Sequence, residues 1–205
     1  MPERSLETPV GCETPVAGVA PPTLATARLS LRAPAGSDVA RIAALAGNRE
    51  VTRFLARLPH PYTAADARDW LAYLERARGR EIAFALDDGT GLIGVISFRA
   101  LDETPEIGYW LGRAYWGKGY MSEAARVALG WLFGATATQA VAARAIGVNT
   151  ASQAVLSRAG FTRAGSDTAG ERDLHFRLDR AAFFRLHDDM NGTAADRAAQ
   201  KATQR

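Results

Sequence analysis

The chain has 205 residues, 47% apolar and 23% charged, which excludes wholesale disorder and is long enough to bury a core without disulfide or metal staples. Residues 1–25 carry a net −2 and residues 188–205 are neutral, so the +5 that gives the net +3 lies between them as scattered arginine. This suits an anionic small ligand and disfavours a nucleic-acid surface. The single cysteine, Cys12, excludes a disulfide scaffold and a thiolate cluster, and no apolar run approaches the roughly 18–20 residues that span a bilayer; a cytoplasmic protein with no membrane partner is expected.

Residues 1–25 hold five prolines and no sustained periodicity, and are expected to be a disordered leader. Alternation at Leu29, Leu31 and Ala33 predicts a half-buried strand, and Ser37 starts a helix running to residue 46. A turn-rich link with Pro59 and Pro61 leads to a second helix near Thr63, where Asp66 completes a capping-box pattern. Residues 82–87 and 92–98, joined by Asp-Gly-Thr-Gly, read as a hairpin, and residues 106–111 as a third strand. The period then changes: Ala125, Ala128, Leu129 and Leu132 predict a helix over 122–133, followed by a strand over 141–148. Residues 150–159 form a helix between an Asn149 cap and Gly160, and strands follow from Phe161 and over 173–178. The helical crossover between residues 106 and 148 implies a parallel strand pair. The expected whole is a mixed α/β domain over 26–187 with helices on both sheet faces, then a loose tail over 188–205.

The segment with most chemical content is GRAYWGKGYMSE at 112–123, between a strand and a helix. Gly117 and Gly119 permit positive-φ backbone. Successive amides can then converge as a nest at the positive end of the helix dipole, and Lys118 adds a full charge. That chemistry suits a phosphate, above all a diphosphate. Gly112-x4-Gly117-Lys118 also matches most of a nucleoside-triphosphate loop. There, however, Gly119 stands where a magnesium-binding hydroxyl is needed, and the strand ending at Asn149 supplies no acidic partner.

EIGYWL at 106–111, YWGKGYMSEA at 115–124, NTASQAVLSRAGF at 149–161 and RDLHFRL at 172–178 together resemble the GNAT N-acetyltransferases, specifically the ribosomal-protein alanine (RimJ/RimL-like) branch, over about residues 26–186. The resemblance implies a mostly antiparallel sheet with one splayed parallel pair. It also implies acetyl-CoA as co-substrate without a metal, and a primary amine as acceptor: a peptide N-terminus, an amino acid or a small molecule. The coenzyme would meet Trp116, Gly117, Lys118, Gly119, Tyr120, Met121 and Ser122. Trp116 stands at the family's Arg or Gln position and Met121 at its final Gly or Ala.

Acetyl transfer needs a base for the amine, donors for the oxyanion and a proton or hydrogen bond for the leaving sulfur. By the same resemblance Glu106, beside the aromatics Tyr109 and Trp110, would be the base, commonly through water, with Glu171 and Asp173 near the acceptor side as alternatives, and the amides of Trp110 or Leu111 the oxyanion donors. Asn149 would bond the pantetheine arm. Many members carry a thiolate-protonating Tyr at the position of Leu156; with no hydroxyl there, Ser152 is the candidate acid. Plain structural roles exist for each: a solvated Glu106, an Asn149 cap, a Ser152 in a first helical turn, and Glu123 complementing the helix dipole. Arg49, Arg53 and Arg57 on the acceptor side disfavour a polycation. A rival reading is a catalytically idle acyl-CoA-binding or regulatory module of the same fold. The assembly is expected to be a monomer or a homodimer formed through a sheet edge.

Overall fold

The computed structural model describes residues 21–55, 59, 61–166 and 173–187. The chain opens with β1 (Leu24–Ala25) and β2 (Ser30–Arg32), then α1 (Val39–Ala46), α2 (Arg49–Thr52) and α3 (Ala64–Arg76). Next come β3 (Glu81–Asp87), β4 (Leu92–Arg99), β5 (Glu106–Leu111), α4 (Tyr120–Ala135), β6 (Ala140–Ile146), α5 (Thr150–Arg158), β7 (Thr162–Ser166) and β8 (Asp173–Asp179). Residues 180–187 are helical. The strands form one sheet in the order β1-β2-β3-β4-β5-β6-β8-β7, and only β5 and β6 run parallel.

Both faces of the sheet are covered, which explains why β3 and β4 are nearly continuous apolar runs. On one face Phe84, Leu86, Ile96 and Phe98 pack with Ala125, Leu129, Leu132 and Phe133 of α4 and Leu156 of α5. On the other, the smaller Ala83, Ala85 and Val95 receive Val39, Ile42 and Ala46 of α1 and Ala67 of α3. Each fully buried Phe or Leu here contributes about 1.5–3 kcal/mol relative to exposure. Gly94, inside β4, has a separate reason: a Cβ there would stand 2.3 Å from the Trp110 carbonyl oxygen. The close approach keeps β4 tight against the end of β5.

Local signals set several boundaries where the sequence predicts them. Thr63 and Asp66 form the capping box of α3, with Asp66 accepting the Thr63 N–H at 2.7 Å. Asn149 caps α5, and Gly160 beyond it has φ 96°. Other expectations need correction. The leader ends earlier than residue 25, because Leu24 and Ala25 pair with Leu31 and Ser30; the rest of the leader and the tail lie outside the described residues. The link after α1 contains a helical turn, α2, capped by Asn48. β6 stops at Ile146, and α4 begins two residues early, at Tyr120.

The feature that positions the site is the parallel pair. β5 and β6 are in register only at Glu106↔Ala142 and Ile107↔Ala143. Beyond that point β5 stays paired with β4 as far as Leu111, and β6 stays paired with β8 as far as Ile146. Each strand keeps its outer neighbour while a gap opens between them. Among the described residues no helix is long and apolar enough to cross a membrane.

Candidate active site

The diphosphate-type loop follows directly from the end of β5. A 3-10 turn at Arg113–Tyr115 leads to Gly117 (φ 73°) and Gly119 (φ 80°), both in the left-handed region that glycine enters without strain. Gly119 caps α4 without a side chain, and the first bond of the helix runs from the Glu123 N–H to the Gly119 carbonyl at 3.1 Å. The N–H groups of Tyr120, Met121 and Ser122 are therefore the orphan donors of the helix, at its positive end. Among the described residues no acceptor takes the N–H of Gly117 or Gly119 either. The Met121 side chain is buried in the core, so it does not cover its own amide.

The donors of Trp116, a residue expected to meet the coenzyme, are engaged within the chain. Its indole N–H donates to the Leu111 carbonyl at 2.8 Å and its backbone N–H to the Arg113 carbonyl at 3.3 Å, so only the ring face remains for a ligand. Arg113 lies over that ring at 5.0 Å and pairs with Glu50 at 2.9 Å. Lys118, by contrast, has no carboxylate partner among the described residues; its ammonium lies 5.7 Å from the Tyr115 ring centroid.

The register of β4 against β5 separates the two amides expected at the gap. The Gly112 N–H donates to the Ile93 carbonyl at 2.9 Å, and the two strands run in register without a shift. Bonding alternates along such a ladder, so the Trp110 N–H faces β4. The expectation for Trp110 is corrected on this ground, while the Leu111 N–H faces the opening. The Trp110 side chain packs with the α1–α3 face instead.

Along β5, Tyr109 faces α5. Its phenol oxygen lies 2.9 Å from Ser152 Oγ and 3.2 Å from the Ser152 carbonyl. Burial pushes the Tyr109 phenol up to about 12 against the opposing effect of the Ser152 hydrogen bond, so it remains a proton donor through the neutral range. Ser152 is held from the other side by its N–H, which donates to Asn149 Oδ1 at 3.1 Å. Asn149 is thus the cap of α5 and keeps its amide NH₂ for another partner. The sequence presents Tyr109 only as an aromatic beside Glu106; nothing local signals that its hydroxyl meets a serine 43 residues later. Leu156, the position at which the resemblance implies a tyrosine in many members, is buried.

Glu106, at the closed end of the gap, is not in the apolar setting expected of it. Arg99 donates to Oε1 at 2.7 Å and Arg144 to Oε2 at 3.2 Å. Glu123 is likewise more than a dipole complement. It binds Arg28 and Thr26, and Arg28 also holds the Lys118 carbonyl at 2.9 Å. Arg53 and Phe54, with Ile146 at the end of β6 and Val148 just beyond it, line an open cavity of about 250 Å³. Arg57 and residues 167–172 lie outside the described residues. Among the described residues no group of three or more His, Cys, Asp or Glu is placed to hold a metal.

Comparison with known proteins gives a consistent picture. A family profile described as an acetyltransferase (GNAT) domain matches residues 28–162. The chain is 27% identical over 150 residues to the uncharacterized N-acetyltransferase p20 of Bacillus licheniformis, covering 70% of this chain and 84% of p20. The ribosomal-protein-S5-alanine acetyltransferase of Vibrio fischeri superposes with a TM-score of 0.69 at 21% identity, over 78% of this chain and 97% of that one. RimJ of Mycobacterium smegmatis, solved with CoA-disulfide, gives 0.68 at 19% identity, over 78% and 88%. At these identities the solved structures establish a shared fold.

Proposed function

Because the chain belongs to the GNAT acetyltransferase family and is an acyltransferase, we propose that it moves the acetyl group of acetyl-CoA directly to a primary amine. The observation that carries this reading is the opening between β5 and β6, with an unpartnered amide nest at the end of β5 and the Tyr109–Ser152 hydroxyl pair along its wall. In this reading the amides of Gly117, Gly119, Tyr120, Met121 and Ser122 take the diphosphate, Lys118 supplies charge, the Trp116 ring flanks the loop, and the Asn149 NH₂ donates to the pantetheine arm. The Leu111 N–H stabilises the oxyanion. The amine lone pair bonds the acetyl carbon, the C–S bond breaks, and the amine proton leaves through water to Glu106. Ser152 protonates the departing sulfur, which ends as the coenzyme thiol, and regains a proton through water from Glu106. Ser152 is free to donate when Tyr109 donates to its Oγ. The lone cysteine supports placing this reaction in the reducing cytoplasm.

The acceptor is a peptide N-terminus or a small amine. The cation of Arg53, lying over Phe54 at 4.5 Å beside the opening, disfavours a polyamine. The test is release of free thiol from acetyl-CoA across peptides, amino acids, polyamines and aminoglycosides. Thiol release with a peptide or amino acid supports the reading; release confined to polyamines, or none with coenzyme A bound, contradicts it.

Two substitutions examine its parts. Lys118→Ala weakens coenzyme A binding about three- to tenfold and flattens its salt dependence. Unaltered affinity and salt response would remove the charge from the reading. Glu106→Gln lowers kcat/KM about a hundredfold. Unchanged kcat/KM with a lower melting temperature would make Glu106 a partner of Arg99 and Arg144 only.

A further inference from the structure

Arg28 lies 90 residues before Lys118 in the chain, yet its side chain ties down the loop in three ways. Nη1 donates to the Lys118 carbonyl at 2.9 Å. Nε and Nη2 both reach Glu123 Oε2, at 2.7 and 2.6 Å. The guanidinium carbon sits 4.6 Å from the centre of the Tyr120 ring. The other Glu123 oxygen accepts the Arg28 N–H at 3.0 Å and the Thr26 hydroxyl at 2.5 Å. We propose that Arg28 is a positioning residue for diphosphate recognition, orienting the Lys118–Gly119 peptide and cancelling the charge of Glu123 beside the nest. The inference rests on the coenzyme A reading above.

Two physical effects make up this role. In a trans peptide the carbonyl and the following N–H point in opposite directions. Anchoring the Lys118 carbonyl on Arg28 therefore holds the Gly119 N–H pointing away from Arg28, as a preset donor of the loop. Preset donors bind without the cost of ordering them. The second effect is electrostatic. Glu123 sits in the first turn of α4, where a carboxylate favours the helix dipole but repels a ligand diphosphate at the same amides. Partial burial pushes its carboxyl up, yet the hydrogen bonds from Thr26 and Arg28 outweigh this and hold it below the ordinary carboxylate range. Glu123 is therefore charged at neutral pH, and its fit beside an anion site depends on Arg28.

The experiment compares coenzyme A binding by calorimetry with turnover of S-acetyl-pantetheine, a thioester with no diphosphate, using the full chain. Arg28→Ala weakens coenzyme A binding about ten- to hundredfold, the range of a lost charged hydrogen-bond set. Its turnover of S-acetyl-pantetheine stays within about twofold of wild type, since that thioester makes no use of the nest. Adding Glu123→Gln to Arg28→Ala recovers about tenfold in affinity, because the uncancelled carboxylate is gone. Arg28→Lys, which keeps the charge and loses the fork, falls between wild type and Arg28→Ala, and serves if the alanine variant does not fold. Undiminished coenzyme A binding by Arg28→Ala, or a loss of S-acetyl-pantetheine turnover as large as the loss of coenzyme A affinity, overturns the inference alone. A wild-type chain that does not bind coenzyme A overturns the coenzyme reading and this inference together.

Discussion

Ser152→Ala is expected to lower kcat about a hundredfold while leaving the KM for acetyl-CoA within about threefold, the pattern of a lost proton donor in the transition state. The asymmetry follows from where the hydroxyl sits. Ser152 Oγ is 2.9 Å from the Tyr109 phenol, and its backbone N–H is already used by the Asn149 cap. Removing Oγ leaves the cap and the α5 start intact, so ground-state binding changes little. Tyr109→Phe is expected to cost about tenfold in kcat, since Ser152 keeps its own proton but loses the donor that orients it. If Ser152→Ala lowers kcat and affinity equally, the serine serves only to build the turn.

The largest expected effect on stability is at Arg32. Its Nη1 and Nη2 grip both oxygens of Asp38 at 2.8 Å, and Nη2 also meets Asp87 at 2.9 Å. Asp38 is 5% exposed, so Arg32→Ala strands a buried carboxylate. Breaking a buried pair from one side costs about 3–5 kcal/mol, which corresponds to roughly 10 °C in Tm for a domain of this size. The sign of the pH dependence follows from the same contact. The Arg32 hydrogen bond, opposed by burial, holds the Asp38 carboxyl below its usual range. The stability it contributes is fully present above the ordinary carboxylate pKa and is lost as pH falls through the depressed folded value. The gap between wild type and Arg32→Ala should therefore narrow in acid. Urea denaturation at neutral pH and near pH 3 checks this; an equal gap at both, or a Tm change under about 2 °C, contradicts it.

What the sequence made legible was local. The bounds of β5 appear between the turn that ends at Pro105 and the glycine loop that begins at Gly112, the Thr63–Asp66 pair announces α3, and the glycines at 117 and 119 announce a positive-φ loop. The Asn149 and Gly160 signals bracket α5. The contacts that were missed join residues far apart in the chain: Arg28 to Glu123 across 95 positions, Tyr109 to Ser152 across 43 and Arg144 to Glu106 across 38. No spacing rule encodes those, because the sheet order brings them together. Ladder parity is a further case. Whether Trp110 or Leu111 faces the gap depends on the register against β4, which the Gly112–Ile93 bond discloses and the residue types do not. α2 was hidden for another reason, since four residues are too few for a periodic pattern.

The most direct measurement of the central claim is a crystal structure of this chain with coenzyme A. The expected result has diphosphate oxygens about 2.7–3.2 Å from the amides of Gly117, Gly119, Tyr120, Met121 and Ser122, and the sulfur between β5 and β6 in hydrogen-bond contact with Ser152 Oγ. Coenzyme A bound elsewhere, or those amides turned outward with the strand gap closed, would contradict it.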